Sequence, residues 1–356
     1  MGDPRLASYA SLLVERCVNV QPGWQVLVRA TPAARPLVEE VVSAIAGREA
    51  YALPRLSFSR FSPWLAEAPT ELLGTLAEID AHEIDHADGL MVIDAPENTR
   101  EGSDILAERL ALRRQAARPH AEPFFSGSKP WVGCQFATAA LAQDAGMGLR
   151  AFEDFLYGAV LVDWDSLAER MRQIAARFDA AREVRLTGDA TDLTFSLEGR
   201  TGCVDAAGAN MPGGEVFYSP VEDSASGTVT FSEYPACYGG RAVETVRLRF
   251  ENGRVVDASA SSNEDFLLTT LDTDAGARVL GEFGIGCNPG IQRHTKNTLF
   301  DEKIEGTIHL AIGNGFPFID GTNVSAVHWD MVKDLRRSGT IELDGELVQD
   351  AGKWLI

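Results

Sequence analysis

Apolar residues in the first half of the chain follow two alternating spacings. Leu6, Tyr9, Leu12, Leu13 and Val20 recur at helical intervals, Gln21-Pro22-Gly23 marks a turn, and Val26-Leu27-Val28 reads as a short buried strand. Val38, Val41, Val42 and Ile45 return to helical spacing, with Gly47 placed to end that helix. Gly89 to Ile93 is a second buried strand, and Ile105, Leu106, Leu110 and Leu112 predict a further helix. Strands alternating with helices predict an α/β N-terminal domain with a largely parallel sheet. From Thr138 to about Phe178 the pattern is helical throughout.

Beyond Glu183 glycine and β-branched residues become frequent. Val246 to Phe250 and Arg254 to Ala258 alternate on either side of Glu251-Asn252-Gly253, a strong hairpin signal. Asn263 to Asp272 predicts a helix with Asn263 as N-cap. Thr307 to Ile312 and Ser325 to Asp330 alternate as strands, and Glu342 to Val348 closes as a tight hairpin. The chain of 356 residues therefore divides into an N-terminal domain, 1–185, and a mixed α+β C-terminal domain, 186–356.

Composition narrows the functional classes. Acidic residues outnumber basic ones, 52 to 32, for a formal charge of −20, which argues against nucleic acid as a partner. No apolar run approaches the ~18 residues of a membrane span, and the N-terminus lacks a signal-peptide core. Cys17, Cys134, Cys203, Cys237 and Cys287 are odd in number and widely spaced. They predict reduced, buried thiols and a cytoplasmic protein.

The chemistry concentrates in the C-terminal half. His328 and Asp330 leave the same face of a predicted strand, one borderline nitrogen and one hard oxygen, while Trp329 points to a core. His309 sits mid-strand, where an imidazole is either a satisfied core group or a ligand. Glu215 and Glu282 lie among glycines that permit close backbone approach. Together these five suit a pair of divalent ions. His82 and His86 have i,i+4 spacing but read as part of a solvated acidic turn, and His294 reads as a surface residue.

Several blocks together resemble those of the aminopeptidase T and aminopeptidase S family of dinuclear metalloaminopeptidases. They are Asn210 to Phe217, Gly281-Glu282, Leu299 to Lys303, Gly306 to Gly313 and Asn323 to Asp330. The first-half segments Gln21-Pro22-Gly23, Ala137 to Met147 and Phe155 to Asp165 agree too, so the resemblance spans nearly the whole chain. It implies a C-terminal domain whose curved β-sheet carries two divalent metal ions, zinc, cobalt or manganese. Its ligands would be Glu215, Glu282, His309, His328 and Asp330, with Glu282 bridging. It further implies a homodimer acting on short peptides or amino-acid-derived substrates.

One position departs from that pattern. The family's active-site tyrosine, seven residues after the strand histidine, is Phe316 here. A phenol can donate to a developing oxyanion and a phenyl ring cannot, so either another donor (Tyr218, Tyr238 or Thr322) substitutes or the reaction has changed. The alternative is a repurposed scaffold, with His309, His328 and Asp330 holding a single Fe(II) for dioxygenase chemistry. Glu302 and Lys303 are candidates for groups behind the ligands or facing the oxyanion, or for an ordinary turn ion pair.

Overall fold

The alternation in the first half builds a five-stranded sheet ordered Tyr51–Leu56, Gln25–Ala30, Gly89–Asp94, Trp131–Gln135 and Asn210–Met211, parallel at every pairing. The structure is a computed structural model and describes residues 3–58 and 63–355. Val26, Leu27 and Val28 are buried, as expected for a strand with neighbours on both sides. The Tyr51–Leu56 strand is mostly exposed and contains Pro54, tolerated at a sheet edge where one N–H row needs no partner.

The chain divides into Met1–Leu161 with Ala207–Pro212, and Val162–Ala206 with Gly213–Ile356. This differs from a single junction near residue 185. Helix Trp164–Asp179 belongs with the second unit, where it packs on strands Cys203–Asp205 and Glu215–Tyr218. Residues 207–212 return to the first unit to add the last parallel strand. The helical stretch after Thr138 breaks into three helices, Ala139–Asp144, Leu149–Val160 and Trp164–Asp179. Asp163 caps the third by accepting from the Ser166 N–H at 3.1 Å, and Leu167, Met171, Ile174 and Phe178 form its buried stripe.

The second unit contains an eight-stranded and a five-stranded sheet, both antiparallel. The smaller runs His328–Asp334, Thr307–Gly313, Leu280–Gly286, Glu215–Tyr218 and Cys203–Asp205. Phe283 on its central strand packs against Phe178 of the long helix and Phe195 of the larger sheet, with ring centroids 5.8 and 5.0 Å away. This aromatic layer fixes the back of the smaller sheet; each fully buried ring contributes roughly 1.5–3 kcal/mol.

The Asn252-Gly253 hairpin forms as predicted, with φ of 48° and 76°. A side chain at Gly253 would also meet the Glu222 carbonyl oxygen at 1.7 Å. Two expectations need correction. Asn263 precedes its helix in a left-handed conformation and donates Nδ2–H to the Ala242 carbonyl at 2.7 Å instead of capping. The strand expected from Ser325 begins at His328, because Asp274 holds the Ser325 hydroxyl and the Ala326 N–H in a loop. No disulfide forms among the described cysteines.

Candidate metal centre

One face of the smaller sheet gathers all five residues singled out as ligands. Glu215 and Phe217 alternate to that face of their strand, and Gly284 opposes Phe217 on one side and His309 on the other. The absence of a side chain at 284 makes room for the imidazole: a Cβ there would lie 2.0 Å from His309 Cε1. His328 and Asp330 leave the adjacent strand on the same face, and Trp329 is fully buried on the opposite one.

The side chains converge closely. Glu282 Oε1 lies 3.3 Å from His309 Nε2, and its Oε2 lies 3.0 Å from His328 Nε2. Asp330 Oδ1 is 3.5 Å from His328 Nε2, and Glu215 Oε2 is 3.5 Å from His309 Nε2. Two clusters result: Glu215, Glu302 and His309, and Glu282, His328 and Asp330, each with ligand atoms within 4.8 Å of one another.

Glu302 and Lys303 have a larger place here than the sequence suggests. Lys303 is completely buried, and the Glu302 side chain is 14% exposed. The ammonium contacts Glu302 and lies 3.2 Å from Glu215 Oε1, so this is not an ordinary turn pair. The sequence leaves groups behind the ligands and an ordinary turn pair both open; the fold brings the segment against His309, whose Nδ1 lies 3.1 Å from the Glu302 carbonyl. His294 needs a similar correction. Its side chain is 11% exposed, lies 3.1 Å from Asp301, and has its basicity pushed down to about 4 by burial.

The hydrogen bonds fix the imidazoles' tautomers. His309 Nδ1–H donates to the Glu302 carbonyl at 3.1 Å, and His328 Nδ1–H donates to the Asn314 carbonyl at 2.9 Å. Because a carbonyl only accepts, Nε2 of each neutral ring presents a lone pair toward carboxylate oxygens. That arrangement is stable only with a proton or a cation between them. The buried oxygens Glu215 Oε2 and Asp330 Oδ1 accept no hydrogen bond. Four carboxylates and one ammonium give −4 + 1 = −3 with neutral imidazoles. A buried surplus of this size calls for cations.

Without cations, protons fill the deficit. Burial opposes charge on His309, but Glu282 and Glu215 outweigh it and hold the ring's pKa up at about 10. Burial likewise opposes charge on His328, yet Asp330 and Glu282 raise it to about 12. Burial pushes Glu215 up to about 8 and also raises Glu302, each against the pull of Lys303. Burial would raise Glu282 too, but the two imidazoles outweigh it and hold it low, and His328 does the same for Asp330, at about 2. The donor set, two imidazole nitrogens and carboxylate oxygens, fits borderline divalent ions.

Phe316 lies at the edge of the centre, its ring 5.0 Å from that of His328. Phe217 and Phe318 each lie 5.5 Å from it, and Phe318 is 57% exposed. None of the three proposed substitutes for the missing phenol faces the centre. Tyr218 is on the opposite strand face, its hydroxyl 2.9 Å from Asp179 and 3.1 Å from the Ala175 carbonyl. Tyr238 stacks on Trp329 at 5.2 Å, and the Thr322 hydroxyl donates to Glu222 at 2.7 Å.

The family model described as thermophilic metalloprotease (M29) matches residues 2–354. Aminopeptidase AmpS of Bacillus subtilis is 28% identical, over 98% of each chain. The structure of wild-type AmpT from Thermus thermophilus superposes with a TM-score of 0.81 at 22% identity, over 99% of each chain. A 2,5-dihydroxypyridine dioxygenase from Pseudomonas putida shares the fold more distantly, with a TM-score of 0.66 at 15% identity, over 100% of this chain and 98% of its own.

Proposed function

The chain belongs to the M29 family of thermophilic metalloproteases and is a metallo-aminopeptidase; on that premise, we propose that it removes N-terminal residues from short peptides at a centre for two divalent ions. The observation that carries this reading is the aim of both Nε2 lone pairs into a buried cluster of carboxylates with a charge surplus. Glu215, Glu302 and His309 would hold one ion, and Glu282, His328 and Asp330 the other. Glu282, which touches both imidazoles, would be the shared carboxylate. Zinc, cobalt or manganese would suit these donors. Such a pair supplies Lewis-acid polarisation of the scissile carbonyl and a bound water of lowered pKa.

The protein's own groups supply orientation and electrostatics. The backbone carbonyls of Glu302 and Asn314 hold the two rings with Nε2 inward. The negative charge of the centre attracts the substrate's α-ammonium. Phe217, Phe316 and Phe318 form an apolar cluster, with Phe316 against His328, that suits an apolar first side chain. A homodimer is proposed on the family resemblance alone, and a cytoplasmic location on the odd number and wide spacing of the cysteines.

The single-iron alternative is less well supported. Each cluster contains one imidazole, whereas that reading draws both histidines and Asp330 to one ion. Hydrolysis of leucyl-p-nitroanilide and a dipeptide panel by stripped protein reloaded with Zn²⁺, Co²⁺ or Mn²⁺ tests the proposal. Metal-dependent release is expected; oxygen consumption with one bound iron, and no release, would favour the alternative.

A further inference from the structure

The two clusters differ in one respect that their ligand types hide. Lys303 is completely buried and makes its ion pairs within one of them alone, while its charge acts on Asp330 of the other only at longer range. Its ammonium holds Glu215 Oε1 at 3.2 Å and contacts Glu302 Oε1. Among the described residues, neither Glu282 nor Asp330 forms an ion pair with a lysine or arginine; their partners are His309 and His328. With imidazoles neutral, as metal binding requires, and Glu282 shared between both positions, the direct ammonium contacts of Lys303 fall on Glu215 and Glu302 and on neither carboxylate beside His328.

We propose that Lys303 makes the two ion positions unequal: Glu282, His328 and Asp330 retain one ion tightly, while Glu215, Glu302 and His309 hold the second weakly and exchange it. This rests on the two-ion reading above. The ammonium acts in two ways. It occupies one oxygen of each carboxylate, leaving Glu215 with only Oε2 turned toward His309. Its fixed charge, with no solvent to screen it, also repels a divalent cation bound to the same carboxylates. Lys303 does not touch substrate, since it has no exposed surface; it is a positioning residue. Its buried position also keeps Glu215 and Glu302 from repelling each other when the weaker position is vacant.

The test is Co²⁺ titration of stripped protein, followed by calorimetry, visible absorption and metal analysis after dialysis. Wild-type protein is expected to bind two ions per chain in steps separated by at least roughly tenfold in affinity, the repulsion expected of a nearby fixed charge. Lys303→Met should tighten the weaker step by at least roughly tenfold and leave the tighter one in place. Glu302→Gln should weaken only the weaker step, and Asp330→Asn should weaken the tighter one. Two equivalent ions in the wild-type protein would overturn the inference and leave the two-ion reading intact, whatever the variants do. A weaker step unchanged or weakened further in a folded Lys303→Met protein would also overturn it. One ion at saturation in both proteins would overturn the two-ion reading along with it.

Discussion

Replacing Gly284 by alanine perturbs His309 without substituting any candidate ligand. The added Cβ would sit 2.0 Å from His309 Cε1 and 2.1 Å from Nε2. Carbon atoms pack at about 3.5 Å, so the ring must retreat by roughly 1.5 Å. It has little freedom to do so, because it is fully buried and anchored through Nδ1 to the Glu302 carbonyl. Overpacking of this kind costs about 1–3 kcal/mol of stability. Displacing the ring should weaken metal binding by ~10–100-fold. A shift beyond 1 Å at a reacting centre should lower turnover by about 10²-fold. The variant should be assayed for thermal unfolding, Co²⁺ affinity and release from leucyl-p-nitroanilide, beside Gly47→Ala as a control with open space at its Cβ. Gly284→Ala protein with wild-type metal affinity and turnover would refute the argument that the glycine reserves this space for the imidazole.

Three further predictions concern the same unit. Phe316→Tyr, which restores a phenol 5 Å-scale from His328, should raise peptide hydrolysis by about tenfold or more, within the ~10²–10³ range of an oxyanion donor; unchanged turnover would remove position 316 from that role. Tyr218→Phe should lower stability by about 1 kcal/mol through loss of its Asp179 contact, yet leave turnover within about twofold, since its hydroxyl is turned away from the centre; a large loss of turnover with an unchanged melting temperature would contradict that placement. Stripped protein should lose stability as pH rises from about 6.5 toward 10. His309 has its pKa raised to about 10, so the stability it contributes is complete below its unfolded value and lost as pH climbs, and Glu215, raised to about 8, acts in the same direction. Metal affinity should rise over the same range as binding displaces those protons, so denaturant melts with and without Zn²⁺ should diverge with pH; parallel curves would contradict this assignment.

Features carried by local pattern were legible in the sequence. The Asn252-Gly253 hairpin and the shared face of His328 and Asp330 follow from turn chemistry and from the period of two along a strand. Features set by the path of the chain were not. Nothing local in Asp301-Glu302-Lys303 distinguishes a solvated turn from one folded beneath a sheet, and Lys303 is buried because Glu215, far away in sequence, meets it. The short strand Asn210–Met211 depends on the chain returning to the first unit, and two residues have no periodicity to read. Ser325 alternates well enough to suggest a strand, but its hydroxyl bonds Asp274 and holds it in a loop.

The central claim is that two ions bind this carboxylate and imidazole cluster and drive removal of N-terminal residues. Counting bound ions and released leucine in one sample, for stripped and Zn²⁺- or Co²⁺-reloaded protein beside Glu282→Gln, tests it most directly. The account predicts two ions per chain and release that depends on them, with full ion loading and the release both lost in Glu282→Gln. Full release by stripped protein, or by Glu282→Gln, would contradict it.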